Sequence, residues 1–354
     1  MSRGRVGAVL ALALLTLAAA TAAVFWPVLE NGFVNWDDLD VLVSNDALRW
    51  SGSALMSWAF TTTHMNHYQP LSWLAYAGLA GAEPARVHAL SLALHVLNVG
   101  LLVWVAAMVA DRRDGTDGHW WAAAAVTAIF AVHPLRVEPI AWTSALPYLL
   151  SCAPLLVAVG CWVQWTRGGR TALWWAALGA FGVSQLARVT APFLPLVLVA
   201  LARADGAART RTTQSLVRAV APFAALVIPL AALEAGARDV ETLGDIGLGP
   251  RLAWTLLNPG LYLWRTVMPA GLSPLDVLPR DPQVDWGVPL LSAMAVMALV
   301  ALTRHFTSWR VVAAVWGSYL LLLLPVIGLM PSGVQATADR YMYCLLYTSD
   351  AADE

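Results

Sequence analysis

The 354-residue chain contains no lysine, so all 21 of its basic residues are arginines. Only 12% of its residues are charged, against about 25% in a soluble domain, whereas 59% are hydrophobic. This shortage of charge excludes an ordinary soluble class and indicates an integral membrane protein. The net charge of -1 also excludes a general electrostatic attraction to nucleic acid. The absence of lysine in an alanine-rich chain indicates the codon bias of a GC-rich, bacterial genome.

Cysteine is scarce as well, with three residues in the whole chain. Cys152 and Cys161 lie in one apolar run on opposite faces of a predicted helix, so they cannot form a disulfide. No Cys and His spacing typical of a metal site occurs. No glycine-rich phosphate loop is visible either. We therefore predict neither a metal site nor a cofactor, and the sequence leaves a metal requirement open.

Long hydrophobic runs predict about nine transmembrane helices, each near the roughly 20 residues that a bilayer needs. The first run follows Arg3 and Arg5 and resembles a signal peptide, but it continues through Trp26, which is longer than a usual signal sequence. We therefore predict a retained anchor. The predicted spans are 6–26, 87–110, 120–135, 145–166, 172–187, 189–203, 219–235, 287–303 and 310–330.

The distribution of arginine predicts the orientation of these spans. The short loops after the second, fourth, sixth and eighth spans carry arginine, which favours the cytoplasmic side, with the N-terminus inside. The opposite side receives two long segments, about 27–86 and 236–286, rich in acidic residues, tryptophan and proline. We predict a bacterial inner-membrane protein with a long first extracytoplasmic loop that is large enough to build a site.

Reporter fusions test this orientation. A reporter fused near residue 115 or 210 is expected to behave as cytoplasmic, and one near residue 45 or 245 as external. The reverse pattern would contradict every prediction about the outer loops.

The first outer loop begins with residues 31–38 (NGFVNWDD). Adjacent carboxylates at the mouth of a membrane helix are costly to place, and such a carboxylate can have a raised pKa and accept a proton. Asp37 and Asp38 are therefore candidates for a general base, although a solvated acidic loop is the alternative. Asp40, Asp46 and Glu83 are interpreted as solvated. Apolar residues between 55 and 60 predict a short interfacial helix.

A polar stripe runs down the second predicted span. His88, Ser91, His95 and Asn98 fall on one helix face, which predicts that they face the bundle interior or a wet cavity. Hydrogen bonding between helices and a substrate role explain the stripe equally well. The two histidines are seven residues apart, too far for joint ligation of a metal.

A second group of polar residues follows the third predicted span, in residues 133–142 (HPLRVEPIAW). His133, Arg136 and Glu138 lie there between prolines that forbid a continuous helix. An arginine at the outer face suits a phosphate, although an internal pair of Arg136 with Glu138 is an equal alternative. Arg188, in an outer hairpin, is a weaker phosphate candidate, and Arg340 follows the last span.

Taken together, these segments resemble the bacterial relatives of the transmembrane-and-tetratricopeptide-repeat O-mannosyltransferases, which are membrane glycosyltransferases of the GT-C fold. The resemblance covers nearly the whole chain, in the family's order. The segments 31–38 and 133–142, in this order, are fairly specific to the family, whereas the DRY triplet alone does not identify it. The matching segments are NGFVNWDD (31–38), YQPLSWL (68–74), VHALSLALHVLN (87–98), HPLRVEPIAW (133–142) and ADRYMY (338–343).

The resemblance implies an all-α, GT-C-like domain over residues 1–343, incomplete at its C-terminus. It implies a polyprenyl-phosphate-linked sugar as donor, with mannose as the expected sugar, and a protein, lipid or glycan hydroxyl as acceptor. Asp37 or Asp38 would be the base of an inverting transfer, and Arg136 or Arg340 would steady the leaving phosphate. His133, Glu138, His88 and His95 are the further predicted substrate-binding residues, and the lipid bilayer is the expected partner.

Two departures from the family are visible. Residues 344–354 fit neither a span nor a repeat, and we interpret them as foreign sequence. Residues 144–147 (SALP) replace charged residues, which weakens any transfer of donor contacts to that turn. The alternatives are a transporter or flippase for lipid-linked sugars, and a scaffold that presents C-terminal repeats. Coupling residues of transporters usually sit near the bilayer midplane, which disfavours the first alternative.

Overall fold

A computed structural model of the protein describes residues 3–110, 118–205, 208, 211–237, 247–274, 276–277, 285–329 and 335–343. These residues form helices and short helical turns, together with one pair of short antiparallel strands, β1 (Asp276–Val277) and β2 (Gln335–Thr337). The helices are α1 (Arg3–Phe25), α2 (Gly52–Thr61), α3 (Pro70–Ala77), α4 (Pro84–Ala110), α5 (Gly118–Val132), α6 (Val137–Ala141), α7 (Leu146–Thr166), α8 (Thr171–Ala187), α9 (Leu194–Ala204), α10 (Thr213–Ala237), α11 (Leu248–Val267), α12 (Gly287–Phe306) and α13 (Trp309–Leu323).

Five helical segments in the described part of the chain are long and apolar enough to cross a membrane. A sixth candidate is bent by 54° between Trp121–Val132 and Pro134–Ala141, because Pro134 interrupts the helix. Several long apolar helices indicate a membrane-embedded protein. The five segments are Pro84–Ala110, Thr143–Thr166, Thr213–Ala237, Gly287–Phe306 and Trp309–Val326.

The prediction of nine full spans is therefore correct only in part. The predicted span at 172–187 is a helix of 17 residues, and the one at 189–203 is a helix of 11 residues. The first predicted span, 6–26, by contrast lies in α1, a helix of 23 residues. Apolar composition alone could not separate these shorter helices from full spans. Helix α2 confirms the helix predicted near residues 55–60.

The centre of the molecule is α7, and its neighbours are held close by small residues. Of the most apolar 18 residues of Thr143–Thr166, 78% are buried, whereas only 11% of the most apolar 18 residues of Gly287–Phe306 are buried. A Cβ on Gly160 would lie 2.3 Å from the ring of Trp104, so glycine lets α4 cross α7 closely. Cys152 and Cys161 are both buried and free in α7, as the sequence predicted.

Described residues at the edges of three loops that were predicted to be cytoplasmic lie together at one end of the structure, here called the inner end. The Arg167 guanidinium forms an ion pair of 2.6 Å with Asp205 and donates to the Met108 carbonyl at 2.7 Å. Arg211 donates to the Trp165 carbonyl at 3.1 Å. The structure thus places the ends of α4, α7 and α9 together, as the orientation prediction requires. Which side of the membrane this end faces stays a prediction.

Several predictions fall on residues outside the described ranges. They include Arg112 and Arg113 in the first basic loop, Arg209, part of the second outer segment, and the tail at 344–354. The described part of the outer region is well organised, and it contains all of the candidate site residues.

Candidate functional site

Asp38 is locked into the structure by three hydrogen bonds. Its side chain is 1% exposed, and one carboxylate oxygen accepts from the Ser144 amide at 2.9 Å and from the Ser144 hydroxyl at 2.6 Å. The other oxygen accepts from the Val34 amide at 3.1 Å. These bonds tie the NGFVNWDD loop to the turn between α6 and α7. Asp38 therefore has little capacity left for a substrate proton.

Asp37 is in a different position. It is half-buried, and no donor among the described residues bonds to its carboxylate. Burial raises the pKa of Asp37; the nearby Arg340 guanidinium lowers that pKa, and the charges of Asp38 and Asp40 raise it. A partly desolvated carboxylate with a raised pKa and free lone pairs has the properties of a general base.

His88 lies beneath this loop. Its side chain is fully buried in α4, near the Gly32 carbonyl and the Asp38 carboxylate. The structure therefore places His88 beneath the Asp37–Asp38 loop. The spacing of these residues in the sequence did not predict that they are close.

Arg340 and Glu138 form a buried ion pair across the site. The Arg340 guanidinium lies 2.5 Å from the Glu138 carboxylate, whose second oxygen accepts from the Arg340 amide at 2.7 Å. The exposed fractions of the two side chains are 9% and 8%. The alternative expected from the sequence, a local pair of Arg136 with Glu138, does not form. Glu138 is instead paired with a residue 202 positions away.

Arg136 is fully buried between aromatic rings. Its guanidinium carbon lies 4.9 Å from the Phe130 ring centroid and 5.4 Å from that of Tyr343, and it donates to the Met342 carbonyl at 2.9 Å. This arrangement anchors the 338–343 segment against α5. Direct contact between Arg136 and a phosphate would require that packing to open.

The polar stripe of α4 supports the same segment. His95 shares hydrogen bonds with the Tyr343 hydroxyl at 2.8 Å and the Ala131 carbonyl at 3.0 Å, and Asn98 donates to Tyr343 at 3.1 Å. His88, Ser91, His95 and Asn98 are all fully buried, which confirms that the stripe faces the interior. For His95 and Asn98, hydrogen bonding between helices is the role that these contacts support.

His133 holds the break between α5 and the following turn. One ring nitrogen accepts from the Leu135 amide at 3.1 Å, and the other bonds to the Thr266 carbonyl at 2.9 Å. The first bond caps the turn Pro134–Arg136, and the second attaches α11. Both nitrogens are engaged, so His133 acts as a structural junction in this conformation.

A second polar cluster surrounds Arg188. Its guanidinium donates to the Gln69 side-chain oxygen at 2.9 Å, lies 3.3 Å from His67 Nε2, and stacks 4.3 Å from the Tyr148 ring centroid. His67 Nδ1 lies 2.7 Å from the Glu234 carboxylate, which also accepts from the Tyr68 amide at 2.8 Å.

The predicted outer segments therefore converge at one end of the structure, here called the outer end. Sequence reasoning missed Ser144, which fixes Asp38, and also His67 and Glu234. A single carboxylate in the last turns of an otherwise apolar helix was the available signal for Glu234. Ser144 lies in the stretch where the chain departs from the family pattern, so that departure coincides with a contact to the acidic loop.

No group of three or more His, Cys, Asp or Glu side chains able to hold a metal occurs within the described ranges. No protein-family model, no curated protein and no solved structure matches the chain. The family resemblance and the roles that it implies therefore stay predictions.

Proposed function

We propose that the protein is a membrane glycosyltransferase that moves a sugar from a polyprenyl-phosphate carrier to an acceptor hydroxyl outside the cytoplasm. The single observation that carries this proposal is the contrast between two adjacent carboxylates. Asp38 is saturated by donors, whereas Asp37 is half-buried and has no donor among the described residues. This contrast supports Asp37 as the base and Asp38 as a positioning residue.

The proposed reaction is a single displacement. The Asp37 carboxylate accepts the proton of the acceptor hydroxyl while the oxygen of that hydroxyl attacks the anomeric carbon of the sugar. The bond from that carbon to the phosphate oxygen breaks, and the polyprenyl phosphate leaves with the bonding electrons. Configuration at the anomeric carbon is inverted, as the family resemblance implies. Cationic groups near the leaving phosphate would stabilise its developing charge.

Arg340 supports this chemistry through its position rather than through direct contact with phosphate. Its charge acts on Asp37 and is balanced by Glu138. Its guanidinium also lies 5.0 Å from the ring centroid of Trp142, which is 6.3 Å from the exposed ring of Trp36. Trp36, which precedes Asp37 in the chain, and Trp142 provide an apolar surface on which the sugar of a donor can lie.

A transfer assay tests the proposal. Outward-facing membranes containing the protein are supplied with radiolabelled polyprenyl-phosphate mannose, and label in the acceptor fraction is measured. Transfer that depends on the protein supports the enzyme. Counter-transport of the lipid-linked sugar across vesicles, with no covalent transfer from any polyprenyl-phosphate sugar offered, would favour a transporter or flippase.

Proton acceptance by Asp37 predicts a pH dependence. A base works only when ionised, so the transfer rate falls as the pH drops through the pKa of Asp37. The charge of the exposed Asp40 raises that pKa. Asp40→Asn is therefore expected to move the acidic limb of the rate–pH profile to lower pH. Asp46 lies in the same loop but is not among the charges acting on Asp37. Asp46→Asn should therefore leave the acidic limb unchanged. A shift of that limb to higher pH with Asp40→Asn would contradict Asp37 as the base.

A further inference from the structure

Arg188 differs from three other arginines around the outer end. Arg340 is paired with Glu138, and Arg265 forms ion pairs with Asp276 and Asp339. Arg136 is fully buried between rings. Arg188 is half-buried, and no carboxylate in the described part of the chain forms an ion pair with it. Its guanidinium is therefore open to a ligand.

The neighbours of Arg188 orient its guanidinium, and the Glu234 carboxylate acts on its charge across the His67 ring without contacting it. The short contact from His67 Nδ1 to Glu234 places the imidazole proton on Nδ1, since a carboxylate only accepts. Nε2 of the neutral ring is then an acceptor and receives an N–H bond from Arg188. The Gln69 side-chain oxygen receives another. Of the five N–H donors of arginine, these contacts occupy two, so a face of the fork remains for an anion.

Arg188 lies at the same end of the structure as the proposed base. The charges of Asp37, Asp38 and Arg188 all act on the buried Tyr76 hydroxyl. Tyr148, on whose face Arg188 stacks, has its ring centroid 6.4 Å from that of Tyr341, and the Arg340 guanidinium lies 5.1 Å from the Tyr341 ring. A chain of contacts therefore connects Arg188 to the surroundings of Asp37.

We infer that Arg188, oriented by the His67–Glu234 pair and backed by Tyr148, is the binding site for the phosphate of a polyprenyl-phosphate ligand. Arginine suits this task because its planar fork meets two phosphate oxygens at once. The inference rests on the proposed function, because it assigns the donor's anionic group to one residue. Glu234 is a positioning residue that acts through His67.

Binding of sugar-free polyprenyl phosphate to the full chain in detergent tests the inference, with neutral polyprenol and inorganic phosphate as comparison ligands. We expect wild type to prefer polyprenyl phosphate over polyprenol, and Arg188→Gln to weaken polyprenyl phosphate binding by about 10- to 100-fold. Arg188→Lys, which keeps the charge but not the fork, should lose less. Arg49→Gln is the matched control, since Arg49 pairs with Asp46 on the exposed surface, and it should bind as wild type does.

Glu234→Gln tests the positioning role. It should weaken binding less than Arg188→Gln does, and the nitrogen NMR shifts of the His67 imidazole should report loss of the single Nδ1–H tautomer. Unchanged shifts together with unchanged affinity would contradict that role. Melting temperatures confirm that each variant is folded. If Arg188→Gln does not fold, Arg188→Lys provides the test. Wild-type affinity of Arg188→Lys for polyprenyl phosphate would show that the planar guanidinium is not needed, which overturns its proposed role.

The outcomes separate this inference from the proposed function. Wild-type affinity in a folded Arg188→Gln protein that still transfers sugar would overturn the phosphate site and leave the transferase intact. Binding that depends on Arg188, in a protein that transfers no sugar, would support the phosphate site and overturn the transferase. Equal binding of inorganic phosphate and polyprenyl phosphate would show an anion site that is not specific for the lipid, which would also overturn the inference.

Discussion

Asp37→Asn is expected to lower the rate of sugar transfer by about 100- to 10,000-fold, the usual contribution of a general base. The carboxylate is half-buried and accepts no hydrogen bond from the described residues. Its replacement by an amide therefore removes the proton acceptor without breaking a contact. The rate is measured as labelled mannose transferred per enzyme at saturating donor. Asp40→Asn makes the same substitution at an exposed position three residues along and should retain most of the activity at neutral pH.

The stability of Asp37→Asn distinguishes a catalytic role from a structural one. Since burial raises the pKa of Asp37, ionisation of this side chain disfavours the folded state at neutral pH. The neutral amide is thus expected to leave the melting temperature unchanged or slightly higher. Asp38→Asn should behave differently, because its amide nitrogen would face the Val34 or Ser144 donors in place of a carboxylate oxygen. That variant should melt at a lower temperature. Full activity in Asp37→Asn would end the assignment of the base.

Glu138→Ala is expected to destabilise the protein by about 3–5 kcal/mol, which is the typical cost of breaking a buried ion pair. Arg340 would remain, with a side chain 9% exposed and without the carboxylate that balances its charge. The variant would also lose the bond from the Arg340 amide, which attaches the 338–343 segment to α6. The measurement is the free energy of unfolding in detergent, or the melting temperature where unfolding is irreversible.

The pair of Arg49 with Asp46 is the control for that prediction. It is also an arginine–carboxylate contact of the outer region, but its side chains are 65% and 85% exposed. Asp46→Ala should therefore change the free energy of unfolding by about 0–1 kcal/mol. The double variant Glu138→Ala with Arg340→Met should recover part of the loss, because it removes the uncompensated charge. Equal stability of Glu138→Ala and Asp46→Ala would show that the buried pair contributes nothing.

The grouping of the loops into two sets could be predicted from the sequence because it follows from local properties. Arginine in short loops and acidic residues in long ones divide the chain into two sets of loops, and hydrogen bonds in the structure join members of each set. The interior direction of the α4 stripe also followed from its spacing, because a helix repeats every 3.6 residues. The number of full spans did not follow, since α8 and α9 are apolar but short.

The partners of the charged residues could be decided only by the tertiary structure. The sequence pointed to Asp37, Asp38, Arg136, Glu138, Arg188 and Arg340 as groups that are costly to place in this setting, because each has a charge that must be solvated or paired. It could not show that Glu138 pairs with Arg340 rather than with Arg136, or that Ser144 occupies Asp38 and leaves Asp37 available. Such pairings join residues up to about two hundred positions apart, and the geometry of helix packing determines them. Local composition determined which residues carry charge at the outer end, and packing decided which of those charges remain open to a ligand.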